Sequence, residues 1–193
     1  MKVTRREVVG TFLLGGGIAS ALGVSKIYHA YAKPNLDSLE ESIPLINGLI
    51  DVIIPSTKNN VGAREAGVAS FVVYAIKNCT ARQSQNNFMD GLKAAIGFAK
   101  KKFGKSVADC TVEEKIILLN YFEDNVTEPG TLFGKLKKRI LGEEFIFTLK
   151  KLTVWGFCSS ELGATKALNY DYIPAKFVGI TKLLPGQKSW ATS

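Results

Sequence analysis

Histidine is almost missing from this sequence. Among 193 residues only His29 carries an imidazole, and it lies in a segment that reads as a removable leader. Without it a His general base, a Ser-His-Asp triad, a His-ligated haem and most zinc sites are excluded. Cysteine is scarce too: Cys79, Cys110 and Cys158 stand too far apart for a Cys-x-x-Cys pair or a haem-attachment motif. Runs of alternating β-branched residues are nearly absent, so a sheet is not expected. No internal repeat or low-complexity stretch occurs. The triple Gly15-Gly16-Gly17 has no strand before it and has Ser20 where a third glycine belongs, so it is no dinucleotide loop. What remains is ordinary globular material, 46% hydrophobic and 22% charged, enough for one domain. No catalytic, cofactor-binding or metal-ligating residue is assigned to this chain.

What is present begins with an address. Arg5 and Arg6 stand just ahead of an uncharged stretch from Val8 to Ser25, diluted by Gly10, Gly15, Gly16, Gly17 and Gly23. A spanning helix needs about 20 predominantly apolar residues, and this stretch falls short. Lys26 follows, then Ala30-Tyr31-Ala32, an A-x-A cleavage pattern with Lys33 as the new N-terminus. The whole resembles a twin-arginine (Tat) export signal, although Val8-Val9 stands where Phe-Leu is usual. That route exports folded proteins, often already loaded with a cofactor. Residues 1–32 are therefore expected to be a signal peptide and the mature chain periplasmic; the alternative is an uncleaved membrane anchor.

Losing residues 1–32 removes Lys2, Arg5, Arg6, Lys26 and Glu7, so the +8 of the whole chain falls to +5. The remaining charge is scattered, and its densest run is Lys135-Leu136-Lys137-Lys138-Arg139, with Lys100-Lys101-Lys102 behind it. Such runs ordinarily form solvated helix faces. Nucleic-acid binding fits poorly with export, so contact with an acidic partner or lipid is the functional alternative.

The mature chain reads as all-α, with a helical domain over 33–168 and an extended segment over 169–193. Ser38 and Glu41 are spaced as a capping box, and Leu39, Ile43, Ile46, Leu49, Ile50 and Ile53 follow at helical spacing until Pro55. Pro44 allows a later start near Ser42. A loop over 56–67 precedes a helix from Val68 to about Asn78. A third helix spans Ser84 to Phe103, with Phe88, Leu92, Ala95, Ile96 and Ala99 on one side. Thr111-Val112-Glu113-Glu114 is a second capping box, and Thr127-Glu128-Pro129-Gly130 a turn. Helices over about 131–141 and 143–159 follow. The last segment carries Tyr170, Tyr172, Phe177 and Trp190, too apolar for a disordered tail. Spaced aromatic anchors of this kind lie in a groove, either on the chain's own domain or on a partner.

Certain passages carry a resemblance. Leu49-Ile50-Asp51-Val52-Ile53-Ile54-Pro55, then Gly62-Ala63-Arg64-Glu65-Ala66-Gly67-Val68, is similar to the opening of the gluconate 2-dehydrogenase subunit 3 family. Trp155-Gly156-Phe157, Ser160-Glu161-Leu162-Gly163, Leu168-Asn169-Tyr170 and Ile173-Pro174 are similar to its C-terminal half. The Tat-like leader belongs to the same pattern. The resemblance implies a non-catalytic small subunit that accompanies a large FAD-binding dehydrogenase of the glucose-methanol-choline type. It further implies that the small subunit carries the folded flavoprotein through the Tat translocase. A cytochrome c subunit takes the electrons in many such complexes. A free-standing exported binding or structural protein is the rival reading.

Individual residues are harder to place from sequence. Trp155 and Phe157 fit either core or interface. Asp51 and Arg64-Glu65 flank the Ile-Ile-Pro loop and could pair or cap helix ends. Glu113-Glu114 and Glu143-Glu144 sit at helix beginnings, where acids meet the helix dipole, so acid/base work is not assigned to them. Three cysteines in an oxidising compartment leave one unpaired within the chain. Cys158 is the candidate for an intersubunit disulfide, with Cys79–Cys110 as an internal one; three buried thiols is the alternative. The expected partner surface thus comprises Trp155, Phe157, Cys158, Tyr170, Tyr172, Phe177 and Trp190.

Overall fold

A computed structural model describes residues 17–58, 60–126 and 130–170, with 173, 179, 180, 182, 183 and 185–191 of the tail; side chains are described from Val24 onward, Phe133 excepted. Among these residues the chain forms seven α-helices: α1 Gly17–Tyr31, α2 Ile43–Ile53, α3 Val68–Cys79, α4 Arg82–Phe103, α5 Val112–Asp124, α6 Leu132–Leu141 and α7 Phe145–Ser159. A π-helical turn, Gly163–Ala167, follows. The fold is all-α. The only β-type pairing among the described residues is an isolated parallel bridge between Asn169 and Trp190.

The amphipathic spacing of α7 makes it the centre. Phe145, Ile146, Leu149 and Leu152 are buried, and the helix packs on both α3 and α4. Phe145 lies between Phe88 and Phe122, with ring centroids at 5.3 and 5.1 Å. Helix α2 closes one side through Ile46, Leu49 and Ile50, each fully buried. Burying a side chain of that size contributes roughly 1.5–3 kcal/mol, so this one face outweighs the propensity differences along α2.

Local signals explain most boundaries. Thr111 and Glu114 form the expected capping box: Glu114 N–H donates to Thr111 Oγ1, and Thr111 N–H donates to Glu114 Oε2 at 2.8 Å. The earlier box at Ser38 and Glu41 does not form. Residues 37–42 make turns instead, Ser42 is the N-cap, and Pro44 occupies the first helical turn, where its missing N–H costs nothing. Ile96 was expected on the buried side of α4 but is 50% exposed. Phe88, Leu92, Ala95 and Ala99 already complete the buried stripe, and Ile96 falls on its flank.

The loop after α2 is locked by close backbone contact. Ala63 N–H donates to the Ile54 carbonyl at 2.9 Å, and Ala63 is fully buried. A Cβ on Gly62 would sit 2.5 Å from Ser56 N, so only glycine fits there. Gly67, the N-cap of α3, has φ of 69°, which glycine adopts without strain. The Gly-Ala-Arg-Glu-Ala-Gly-Val passage is thus scaffold, setting the angle between α2 and α3.

Candidate partner-binding surface

The polar start of α4, Ser84-Gln85-Asn86-Asn87, ties four parts of the chain together. Ser84 Oγ accepts from Glu143 N–H at 2.8 Å, and Gln85 Nε2 donates to the Ile76 carbonyl at 2.8 Å. Asn87 Nδ2 donates to the carbonyls of Leu141 and Glu143. Asn86 Nδ2 donates to the carbonyls of His29, Ala30 and Ala32, each at 3.0 Å. Sequence reasoning passed over these four residues. A run of short polar side chains inside a helix was the available signal, since such residues are weak helix formers unless they bond elsewhere.

These bonds fix the end of α1 against α4. Ala30 is buried and Ala32 half-buried, so both residues of the A-x-A pattern are seated against α4. His29 Nε2 meets Asp90 Oδ2 at 2.6 Å on the surface, and Arg82 Nη1 reaches the Tyr31 carbonyl at 3.4 Å. Arg5 and Arg6 lie outside the described residues. No described helix is long and apolar enough to cross a membrane.

The expected interface residues divide. Trp155 is 56% exposed, its ring edge-on to Phe71 at 5.5 Å. Phe157, by contrast, is 6% exposed and belongs to the core. The two are two positions apart, and a helix turns through more than half a revolution over that distance. They cannot share a face, and Phe157 is removed from the interface set. Cys158 is exposed and free. Tyr170 and Trp190 are 47% and 54% exposed; Tyr172 and Phe177 lie outside the described residues. The stretch around Trp190 is tied back to the end of the π-helical turn. Asn169 N–H donates to Ser189 O and Ala191 N–H donates to Asn169 O, both at 2.8 Å.

The internal disulfide between Cys79 and Cys110 is absent. Both are free, Cys79 exposed and Cys110 buried, where its thiol reaches the Ser106 carbonyl at 3.3 Å. Burial, helped by Glu114, pushes the Cys110 thiol above its ordinary range. It packs as a small apolar residue.

Beside Trp155 opens a cleft of about 400 Å3, lined by Cys79, Lys138, Arg139, Glu143 and Lys151 among others. Glu143 bridges Lys138 at 2.6 Å and also pairs with Lys151. Burial pushes the Glu143 carboxyl up, but hydrogen bonds from the two lysines outweigh it and hold the group below the ordinary range. Glu114 is likewise held low, first by the Thr111 backbone N–H and then by Lys105. Glu113 is lowered by its own backbone N–H and then by the Thr111 hydroxyl. Each is an ionised carboxylate bound to fixed donors, the opposite of a general acid poised near neutrality. Asp51, Arg64 and Glu65 line a groove of about 790 Å3 with Lys115, and they form no ion pair among the described residues. Among the described residues no cluster of three or more His, Cys, Asp or Glu is placed to hold a metal ion.

The chain is thus an all-helical domain whose aromatic side chains Trp155, Tyr170 and Trp190 face outward. The family model of gluconate 2-dehydrogenase subunit 3 matches residues 40–175, and the chain belongs to that family. It is thereby a chain of the kind that works within a multi-subunit dehydrogenase. No curated protein and no solved structure matches it.

Proposed function

We propose that this chain is the non-catalytic small subunit of a periplasmic FAD-dependent sugar, sugar-acid or glycoside dehydrogenase. It escorts the folded flavoprotein through the Tat translocase and stabilises it by contact. The flavin and the oxidation chemistry belong to the large partner, and a cytochrome c subunit is the further partner this reading allows. The observation that carries it is the outward set of Trp155, Tyr170 and Trp190, half-exposed on a chain of a dehydrogenase-subunit family. Large aromatic side chains left in water are the anchors that protein interfaces bury. Cys158 is exposed three residues after Trp155, and in this reading it joins the same contact through an intersubunit disulfide.

The test begins with recovery of the chain from its native host. A yellow, stoichiometric complex with a larger chain supports the reading; a colourless lone chain sinks it and leaves a free-standing exported protein. The Arg5→Lys, Arg6→Lys double variant should strand both chains in the cytoplasm. A flavoprotein that still reaches the periplasm would refute the escort role. Non-reducing electrophoresis of the complex reads the Cys158 bridge directly.

A further inference from the structure

Helix α6 is built inside out. Its sequence, LFGKLKKRIL, contains four cations and no acid. Leu132, Leu136 and Ile140 recur every fourth residue and so form one stripe. They are 86%, 54% and 38% exposed, whereas Gly134 is buried and Lys137 and Leu141 are half-buried. The helix therefore turns its glycine and a lysine to the domain and its aliphatic stripe to solvent. The domain-facing side is held by bonds that leave the stripe free. Lys137 pairs with Glu144 at 2.7 Å, and Asn87 Nδ2 donates to the Leu141 carbonyl at 2.9 Å. Lys135 and Arg139 border the stripe and have no ion pair among the described residues.

We infer that α6 is a lipid-docking helix that lies in the surface of an anionic membrane, with Leu132, Leu136 and Ile140 inserted and Lys135 and Arg139 on the headgroups. Two observations choose lipid over a protein occupant. The first is charge complementarity. A stripe of aliphatic side chains bordered by Lys135 and Arg139, with no acid on the helix, matches an anionic interface. The second is position. Helix α1 packs against α6, and Lys26 and His29 share a surface pocket with Lys137 and Leu141. Helix α1 belongs to the segment read from sequence as an export leader, whose uncharged stretch is addressed to a membrane. The lipid contact does not depend on the flavoprotein reading.

The experiment is co-sedimentation of the full chain with vesicles of phosphatidylcholine alone or with about a third phosphatidylglycerol. The comparison is with Leu132→Gln/Leu136→Gln and with Lys135→Gln/Arg139→Gln, all exposed positions whose replacement leaves the core untouched. Every variant keeps the same leader, so the differences report α6. Binding should favour the anionic vesicles, weaken with added salt, and fall at least tenfold in partition coefficient in either double variant. As a local readout, tryptophan placed by Leu132→Trp should shift to the blue on anionic vesicles. Unchanged partition in both variants together with an unshifted Leu132→Trp spectrum would overturn the inference. So would a Leu132→Gln/Leu136→Gln chain that keeps its lipid binding yet loses its larger partner, because the stripe would then be a protein interface. Loss of lipid binding with the complex intact separates this contact from the subunit role.

Discussion

Two glycines on α4 make opposite predictions for the same substitution. Gly91 faces Phe145: a Cβ there would lie 2.1 Å from Phe145 Cγ and 2.4 Å from its Cβ. The ring cannot yield cheaply, because Phe88 and Phe122 hold it from two other sides and it is 4% exposed. Gly97 lies six residues on, exposed, with nothing within 4 Å of the added carbon. Alanine in a helix interior is favoured over glycine by about 0.5–1 kcal/mol, and both substitutions collect that gain. At Gly91 it is opposed by overpacking, which costs typically 1–3 kcal/mol and more where backbone must move. Gly91→Ala should therefore destabilise by roughly 1–2 kcal/mol, and Gly97→Ala should stabilise by up to about 1 kcal/mol. In a chain of this size each kcal/mol moves Tm by about 2–4 °C. Thermal melts followed by helical ellipticity should thus separate the two variants by about 2–12 °C, on opposite sides of the parent. If Gly91→Ala melts at or above the parent, the close packing of α4 on α7 is wrong, and the centre of the fold with it.

Four further outcomes follow from the same geometry. Phe157→Ala should cost about 3–5 kcal/mol of stability, whereas Trp155→Ala should leave the melt nearly unchanged and weaken recovery of the larger chain. With a disulfide-forming thiol reagent under native conditions, Cys79 and Cys158 should react within minutes and Cys110 only after unfolding; a fast third thiol would contradict its burial. Glu143→Gln should lose about 1 kcal/mol at neutral pH. Since the folded carboxyl titrates below its ordinary value of 4.5, its contribution is full above that value and disappears as pH falls through the folded one. Denaturant melts of parent and variant should accordingly converge in acid; a gap that persists there would point to packing instead. Finally, Asn86→Ala should release the end of α1, so chymotrypsin should cut after Tyr31 faster than in the parent. Equal rates would mean that the three carbonyl bonds do not hold that segment.

Much of the helical order was legible because it is written in short-range chemistry. Val68, Thr111 and Thr131 mark helix starts through glycine, a capping box and a side-chain cap, and Pro44 and Pro55 bracket α2. Where two local signals competed, at Ser38 and Ser42, the sequence could offer both starts, and proline's restricted φ decided for the later one. The family passages were also readable, since their glycines answer to backbone geometry: Gly62 and Gly67 could be nothing larger without collision or strain.

The site was less legible, because exposure is a property of the whole fold. The residue types of the partner surface could be named in advance, and the helical period puts Trp155 and Phe157 on different faces, but only the packing of α7 on α3 decided which of them is buried. Pairing among Cys79, Cys110 and Cys158 likewise needed the third dimension, as spacing along the chain says nothing of distance across it. The polar hub at Ser84–Asn87 answers carbonyls more than fifty residues away at the end of α1 and before α7. By itself, then, the sequence determined most of the helices, several of their caps and the family passages. The tertiary structure decided which side of each helix meets water, and α6 shows why that must be so. Helical periodicity identifies an apolar stripe, but a stripe reads the same whether a core or a solvent faces it, and only the neighbouring helices determine which.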